Sequence, residues 1–534
     1  MRLTYAMLEK QIKDLRARIS NMTAKAELKE LESEERIDKL KDELGELPNQ
    51  VSMLQECVVQ RDKEIKDLKA ENKSLKKELS KSNAIIEKLK LLIGKLRAKT
   101  KKNSTTSDKP PSMDPIRKPK PQSLRVKSGK KPGGQLGHPG HGLKLFENPT
   151  EIIEIKPEEC INCPQSSECA SRYTARQKVD LKVVIEVTEE RVFGDDCPLH
   201  GSKVAKLNFS EGYNNPVQYG ENLKATVALI SEHGCVSVSK TADIINSMSE
   251  GALKISCGTV VNIQNELSKK LDETINAIRM GLIAGDVLNA DETGVRVNGG
   301  LGWMQVFCND RFALFNPNKK RGDIDDDDNL GLLAYFTGIL VHDHFVSYYK
   351  YEHLTHAECN EHILRYLKSL IEIFKHSWAQ EMSDLLKSAC HEKNELLRAD
   401  KTEMPPEDVD RFSNEYDSIL EKGMAEYKAA TGGNKKRESY HTDERRLLNR
   451  LKENKPEHLL FLNEFRAPFT NNQAERGCRA FKCKQKVAGC FRSAEGAMVF
   501  ARILSLITTL KKQDRNVFAG IRAVFSGKVP ISTA

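Results

Sequence analysis

Residues 286–297 read DVLNADETGVRV, and residues 338–343 read GILVHD. Each begins with a short apolar run that is typical of a buried strand, and we expect these strands to end at Asp291 and Asp343. Between them, GVRV, WMQVF and FALFN have strand character among turn residues, and LGLLAYF has a helical pattern. Three strands, a helix and a fourth strand, with carboxylates closing the first and fourth, match a ribonuclease-H-like α/β domain.

A third carboxylate lies far along the chain, beyond a charged helical stretch over about residues 357–465. The motif TNNQAERGCRAFKCKQKVAGCFRS predicts a helix that opens at Asn471 or Asn472 and contains Glu475. Converging carboxylates repel one another unless a divalent ion neutralises them. Mg²⁺ suits such a site because it prefers oxygen ligands and keeps waters, which leaves positions open for a phosphate.

Each acid also has an ordinary structural explanation. Asp291 and Glu292 could form an exposed turn, and Asp343 could simply end a strand. Glu475 follows Asn472 by three residues, which is the spacing of a capping-box glutamate. The residue pattern alone does not decide between metal ligation and these structural explanations.

Four cations recur at helical spacing beside the third acid and would line a path for DNA: Arg476, Arg479, Lys482 and Lys486. A solvated basic helix face explains them equally well. The set His356, Cys359 and His362 resembles a metal spacing, but at i, i+3 and i+6 of one helix we interpret it as packing.

Composition limits the class of protein. The 534 residues include 85 Lys and Arg, 76 Asp and Glu, and 39% hydrophobic residues. No apolar run approaches the roughly 20 residues of a membrane span, and the N-terminus lacks a secretory signal. Thirteen cysteines without a dense framework indicate reduced thiols rather than a disulfide scaffold. We therefore expect a multidomain cytoplasmic protein.

The first 100 residues predict a coiled coil. Apolar residues recur at spacings of three and four, and we expect one register to continue from Ile37 to Leu96. Asn72 falls on an a position, where a buried asparagine typically fixes register and strand number. This pattern predicts a homo-oligomer, most simply a dimer; the alternative is an amphipathic helix folded back on the body.

A basic linker follows the heptads. Residues 101–131 contain ten Lys and Arg and two Asp, which places most of the net charge of +9 in this segment. Five prolines between Pro110 and Pro121 favour an extended chain. Such an arm, with Lys130 and Lys131 near its end, is either a phosphate-binding segment or a solvated spacer.

Two short knuckles predict a structural zinc site. Cys160-Ile-Asn-Cys163 and Cys197-Pro-Leu-His200 flank a β-rich stretch in which we expect a hairpin. Three thiolates and one imidazole complete a tetrahedral zinc site. Cys169 is a rival ligand, and unligated cysteines are the alternative.

Residues 221–268 alternate helical patterns with short breaks and fit a helix-turn-helix. Ser239 and Ser256 are the expected N-caps. The last helix would offer three polar side chains to a DNA groove: Thr259, Asn262 and Gln264. A plain helical bundle explains the pattern equally well.

These motifs together resemble the IS66-like family of insertion-sequence transposases, a branch of the DDE transposases. The matching stretches include GGQLGHPGH, NADETGVRV, GILVHDHFVSYYKYEHLTHAECNEHILRYLK and TNNQAERGCRAFKCKQKVAGCFRS. The resemblance implies that Asp291, Asp343 and Glu475 form the catalytic triad and bind Mg²⁺ or Mn²⁺. This chain departs from the pattern at His200, where cysteine is more usual, and at Gly477 and Cys478. Because glycine costs about 1 kcal/mol inside a helix, we expect a weakened helix there.

The sequence thus predicts a DNA transposase that binds element ends, cuts DNA and joins strands, with accessory proteins as possible partners. The alternatives are a non-catalytic coiled-coil and zinc regulator that binds DNA, and a ribonuclease-H-like nuclease without strand transfer. We expect a coiled coil (1–100), a basic Pro-rich linker (101–150), a zinc-binding β domain (151–210), a helix-turn-helix-like region (215–275) and a ribonuclease-H-like catalytic domain (283–534) with an α-helical insertion (about 357–465).

Overall fold

A computed structural model describes the following residues: 5–45, 51–101, 137, 145–161, 163–164, 174–192, 208–210, 213, 215–322, 324, 331–433, 438–439 and 441–533. None of the described helices is both long enough and apolar enough to cross a membrane.

Two long helices form the N-terminal region, α1 (Tyr5–Gly45) and α2 (Val51–Lys101). The partly buried positions of both helices recur at spacings of three and four, as the heptad pattern predicts, and Asn72 is one of them. The heptad register that we expected to continue from Ile37 to Leu96 is divided between two helices, because α1 ends at Gly45 and α2 begins at Val51. Glycine is a poor helix former, which explains an end at this residue.

The two helices pack against each other within one chain. Ion pairs join Lys29 to Glu71, and Arg36 to Glu64 at 3.2 Å. A step of seven residues forward in α1 therefore matches seven residues backward in α2, which makes the helices antiparallel. We expected the apolar heptad positions to pair between two chains. Part of them instead pack between α1 and α2 of the same chain.

The described part of the first predicted knuckle contains the short helix α3 (Glu158–Ile161). No strand is assigned within residues 174–192, so the hairpin predicted there is not formed by these described residues. Val187 is 86% exposed and Leu181 is 82% exposed. A strand is stable when it is paired and covered on one face, and these side chains are not covered.

Four helices follow: α4 (Glu221–Ala228), which continues in a π-helical turn (Leu229–His233), α5 (Val238–Met248), α6 (Cys257–Lys269) and α7 (Asp272–Ile283). The Ser256 side chain accepts the Thr259 N–H and caps α6, as predicted. The prediction for Ser239 is wrong, because Ser237 caps α5 by accepting the Lys240 N–H. The helix simply begins two residues earlier than expected.

The sheet has five strands in the order β3-β2-β1-β4-β5. Their bounds are β1 (Val287–Val297), β2 (Gly300–Cys308), β3 (Ala313–Asn318), β4 (Ile339–His342) and β5 (Thr355–Glu358), with the short helix α8 (Leu332–Tyr335) before β4. β1, β2 and β3 pair antiparallel. β5 hydrogen-bonds β4 with a constant offset, from Thr355 N to Gly338 O and from Cys359 N to His342 O, so these two strands are parallel.

The predicted order of three strands, a helix and a fourth strand is confirmed, but the first strand does not end at Asp291. It continues to Val297, and Asp291 lies opposite Val306 in the middle of the ladder. The reason is the two-residue turn Asn298-Gly299, whose φ angles of 47° and 75° are those of a type I′ hairpin. This turn extends the pairing of β1 with β2 through the whole motif.

The described residues between β5 and the last motif form five helices: α9 (Asn360–Phe374), α10 (Ser377–Arg398), α11 (Pro406–Thr431), α12 (Thr442–Glu453) and α13 (Lys455–Asn463). α10 packs between α9 and α11, and α12 contacts α9, α11 and α13. The largest fully buried side chains of this region are Trp378 and Tyr416. The charged helical stretch is therefore a packed helical bundle.

Three helices complete the chain: α14 (Asn472–Ala488), α15 (Ala494–Lys512) and α16 (Val517–Phe525). α14 packs against β1 and β2, and α15 packs against β3. One apolar cluster joins these helices to the sheet through Val306, Phe315, Cys478, Phe481 and Phe500. The start of α14 at Asn472 agrees with the prediction.

Contacts divide the chain into two compact units. The first contains α1, α2, residues 341–345 and the region from His356 to Asn471. The second contains α3 to α8, the strands β1 to β3 and α14 to α16.

Candidate acidic site

Asp291 is half-buried in the middle of β1. Its carboxylate accepts the Glu292 N–H at 2.8 Å and the Cys478 thiol at 3.5 Å. The thiol comes from α14, which packs directly on β1. The orientation of Asp291 is therefore set by its own strand and by the helix that contains the third predicted acid.

Glu475 lies in the first turn of α14, three residues before Cys478. Residues three apart share one face of a helix, so the carboxylate and the thiol lie on the same side of α14. Burial raises the pKa of the Cys478 thiol well above its ordinary value, and the nearby charges of Asp291, Glu292 and Glu475 raise it further. The second unit thus brings Asp291 and Glu475 together around one buried thiol.

Glu292 has a different environment from Asp291. Its side chain is 1% exposed, pairs with Arg321 at 2.6 Å, and accepts the Tyr348 hydroxyl at 2.8 Å. Arg321 also lies over the Trp303 ring at 5.2 Å. The alternative that Asp291 and Glu292 form an exposed turn is therefore wrong, because both residues belong to a paired, largely covered strand.

Asp343 directly follows β4, as predicted, and belongs to the first unit. Its carboxylate accepts the Phe345 N–H at 3.0 Å, which closes a tight turn after the strand. The preceding His342 is fully buried and bonds the His356 ring at 2.9 Å. Burial lowers the pKa of His342 to about 4, which keeps this ring neutral at physiological pH.

His356, Cys359 and His362, the three residues with a metal-like spacing, do not share one helix. His356 lies in β5, Cys359 is the N-cap of α9, and only His362 lies inside that helix. The Cys359 sulfur accepts the Asn471 N–H at 3.2 Å. The prediction that the three follow helical spacing is wrong, because the strand ends between them.

The cations of α14 differ in their surroundings. Arg476, Arg479 and Lys486 are exposed. Lys482 is half-buried, its ammonium donates to the Gly294 carbonyl, and burial lowers its pKa. Three of the four predicted DNA contacts therefore face solvent, whereas Lys482 is engaged with β1.

Sequence reasoning missed Lys484, whose ammonium lies 3.1 Å from the Glu232 carboxylate and 3.0 Å from the Ser231 carbonyl. Glu232 is buried and also bonds the amide of Gln264. No local spacing signals these contacts, because the partners lie more than 200 residues apart. Gln264 was expected to face a DNA groove, and that expectation is wrong.

Of the other predicted contacts in α6, Asn262 is exposed and Thr259 is partly buried. The Thr259 hydroxyl lies 3.0 Å from that of Ser256.

The described part of the predicted zinc site consists of Cys160, which is exposed, and the partly buried Cys163. The Cys163 N–H donates to the Cys160 carbonyl at 3.5 Å. Five other predicted residues lie outside the described residues: Cys169, Cys197, His200, Lys130 and Lys131.

Gly477 has a packing role that the sequence did not reveal. A Cβ at this position would lie 2.9 Å from Val306 Cγ1 and 3.0 Å from Phe315 Cε1. The absence of a side chain lets α14 approach the sheet closely. The expectation that glycine only weakens this helix is therefore incomplete, because glycine also permits the packing.

We predict that Gly477→Ala lowers the stability of the chain by up to about 2 kcal/mol, because overpacking costs about 1–3 kcal/mol and the gain in helix propensity returns about 1 kcal/mol. Gly258→Ala is the matched control, since a Cβ there would meet only the Ser256 hydroxyl at 3.6 Å. Thermal unfolding should give a lower midpoint for the first variant and an unchanged or higher one for the second. A Gly477→Ala protein as stable as the parent would contradict the close approach.

Comparison with known families gives two matches. The model of the IS66 family of transposases matches residues 217–499, which is just over half of the chain, and a family of unknown function (DUF6444) matches residues 59–144. No curated protein matches the sequence significantly. The first match includes all the elements from α4 to α14 and all three predicted acids. The chain belongs to the IS66 family of transposases.

Proposed function

We propose that this chain is an active DNA transposase in which Asp291, Asp343 and Glu475 bind Mg²⁺ or Mn²⁺ and catalyse cleavage at element ends and joining to a target. Membership of a transposase family supports the general role. The observation that carries the catalytic proposal is the meeting of Asp291 and Glu475 around the Cys478 thiol.

The donor set fits a hard divalent cation. Carboxylate oxygens are the ligands that Mg²⁺ prefers, and Asp291 is oriented from two sides, by the Glu292 N–H and the Cys478 thiol. Asp343 is oriented by the Phe345 N–H. When bound, the metal supplies neutralisation of phosphate charge and activation of a water or 3′-hydroxyl. The protein's part is to hold three carboxylates in fixed positions.

The strand order supports a ribonuclease-H-like catalytic domain. The strands β1, β2 and β3 form an antiparallel meander, and the parallel strands β4 and β5 follow it along the chain. β1 is central in the order β3-β2-β1-β4-β5. We infer that β1 and the end of β4 supply the first two acids and that α14 supplies the third. Fold alone does not establish activity, so the proposal depends on the site.

DNA contacts are proposed for the exposed cations of α14 and for α6. Arg476, Arg479 and Lys486 offer positive charge on the helix that contains Glu475, which favours binding of a phosphate backbone. Asn262 is the exposed polar residue on α6 that we expect to contact a groove. Lys130 and Lys131 of the basic linker would add contacts that do not depend on DNA sequence.

The test of this function is a cleavage assay with the purified chain and a labelled DNA fragment that ends in the inverted repeat flanking the gene. We expect Mg²⁺-dependent cleavage followed by joining of the 3′ end to a second DNA. Binding without cleavage would favour the regulator class, and cleavage without joining would favour a simple nuclease.

We also propose that the antiparallel pair of α1 and α2 forms a dimer with a second copy. Leu28 and Leu31 are 60% and 61% exposed, outside the seam between the two helices, and they would lie in such an interface. The full chain should sediment as a dimer at micromolar concentration, and a Leu28→Glu, Leu31→Glu double variant as a monomer. A monomeric parent chain would remove this proposal.

A further inference from the structure

A buried carboxylate lies at the end of β5. The Glu358 side chain is fully buried and is paired within the first unit. It lies 2.6 Å from Arg450 on α12, 2.9 Å from His458 on α13 and 2.5 Å from Nδ1 of His344. Burial alone would raise the pKa of Glu358, but the hydrogen bonds from His344 and His458 and the charge of Arg450 lower it well below its ordinary value.

The helical bundle fixes the far side of this carboxylate. His458 is fully buried, burial lowers its pKa, and its Nε2 lies 2.9 Å from the Glu358 carboxylate. Its Nδ1 lies 3.0 Å from the Tyr416 hydroxyl on α11, and its carbonyl accepts the Asn360 amide at 2.9 Å. Helices α9, α11, α12 and α13 thus contribute to one network around a single carboxylate.

The near side of the network reaches the segment of the second predicted acid. His344 directly follows Asp343. It lies inside the turn that is closed when the Phe345 N–H donates to the Asp343 carboxylate. On the other side of Asp343, His342 bonds His356, which is a β5 residue two places before Glu358. The residues on both sides of Asp343 are therefore held by side chains of β5.

We propose that Glu358 is a positioning residue: the helical bundle fixes Glu358 through Arg450 and His458, and Glu358 fixes Asp343 through His344. In this proposal the helical bundle between β5 and α14 holds the turn after β4 in its catalytic position. The catalytic consequence rests on the proposed function, whereas the fixing of the turn does not.

The chain offers a matched control within the same bundle. Glu444 is also fully buried and is bonded by two imidazoles, His376 and His441, each at 2.6 Å, and by the Trp378 indole at 3.1 Å. These partners belong to the starts of α10 and α12. Replacing Glu444 therefore removes a comparable buried charge without touching His344.

The experiment compares four variants of the full chain: Glu358→Gln, His344→Ala, His344→Asn and Glu444→Gln. Hydrogen exchange is measured by mass spectrometry on peptides covering residues 341–347, and cleavage rates and end binding are measured in parallel. Glu358→Gln and His344→Ala should speed exchange in this peptide and lower the cleavage rate by about 10–100-fold, with end binding unchanged. Asparagine places an amide nitrogen near the position of Nδ1, so His344→Asn should largely restore both values.

Three results would overturn the inference. The first is unchanged hydrogen exchange across residues 341–347 in Glu358→Gln. Glu444→Gln could lower cleavage and speed that exchange as much as Glu358→Gln, which would indicate general loss of stability. His344→Asn could fail to rescue His344→Ala, which would indicate that the ring itself acts. A parent chain that binds ends and never cleaves would instead overturn the proposed function, a result that the exchange data keep separate.

Discussion

Asp291→Asn should reduce DNA cleavage and strand joining by about a thousandfold or more while end binding stays close to that of the parent chain. The substitution removes a ligand charge at nearly constant shape. Metal-assisted stabilisation of the reacting phosphate contributes several kcal/mol, and each 1.36 kcal/mol corresponds to a factor of ten in rate. Asp343→Asn and Glu475→Gln should behave in the same way, because in the proposed site all three carboxylates hold the same metal ions.

The chain supplies controls for this prediction. Glu495 occupies the first turn of α15 as Glu475 occupies that of α14, but it is exposed, so Glu495→Gln should leave the rate unchanged. Asp310 is an exposed aspartate between β2 and β3, and Asp310→Asn serves as the control for Asp291→Asn. Mn²⁺ should replace Mg²⁺, and Ca²⁺ should support binding without cleavage. Activity close to the parent's in Asp291→Asn or Asp343→Asn would end the catalytic assignment.

An inactive Glu475→Gln variant would also decide between the two explanations of that residue. If Glu475 only capped a helix, its replacement would cost about 1–2 kcal/mol of stability and leave turnover largely intact. Unfolding midpoints of the variant and of Glu495→Gln should therefore be measured beside the rates. A stable and inactive Glu475→Gln protein supports ligation.

Local patterns were sufficient for the order of strands and helices. Apolar runs and helical periodicity predicted β1, α8, β4 and α14 close to their observed places. The end of the first strand was missed because the Asn298-Gly299 turn was not recognised as a hairpin signal, although this dipeptide is typical of type I′ turns. The break between α1 and α2 was missed because the apolar spacing runs across it. Periodicity does not show whether a helix continues or reverses.

The site could be predicted only as far as the acids themselves. Asp291, Asp343 and Glu475 were found because they belong to recognisable motifs. Cys478 and Glu358 were not singled out as site residues, since their roles arise from partners 187 and 92 residues away along the chain. Contacts over such separations depend on packing, so a single sequence contains no local signal for them. Gly477 illustrates the same limit, because the atoms that require it lie on β2 and β3.

The second large effect is expected at the predicted zinc site. The described residues of this region bury little apolar surface, and Ile155 is 92% exposed. A small segment with so few covered side chains needs another source of folding free energy, and a structural zinc supplies about 10–16 kcal/mol. We propose that Cys160, Cys163, Cys197 and His200 hold one zinc ion, with Cys169 as the rival for the fourth position.

Cys163→Ser should then lose the zinc and weaken binding to element ends by more than about tenfold, because the unfolded segment no longer contributes to the DNA surface. Zinc content is measured by elemental analysis of the purified chain, and end binding by titration of a labelled fragment. Cys390→Ser is the control, since Cys390 lies in α10 and its thiol contacts Asn394 at 3.5 Å. His200→Cys should keep the zinc if His200 is the fourth ligand. A folded parent chain with less than about half an equivalent of zinc would contradict the site, because a structural metal of this affinity stays bound through purification.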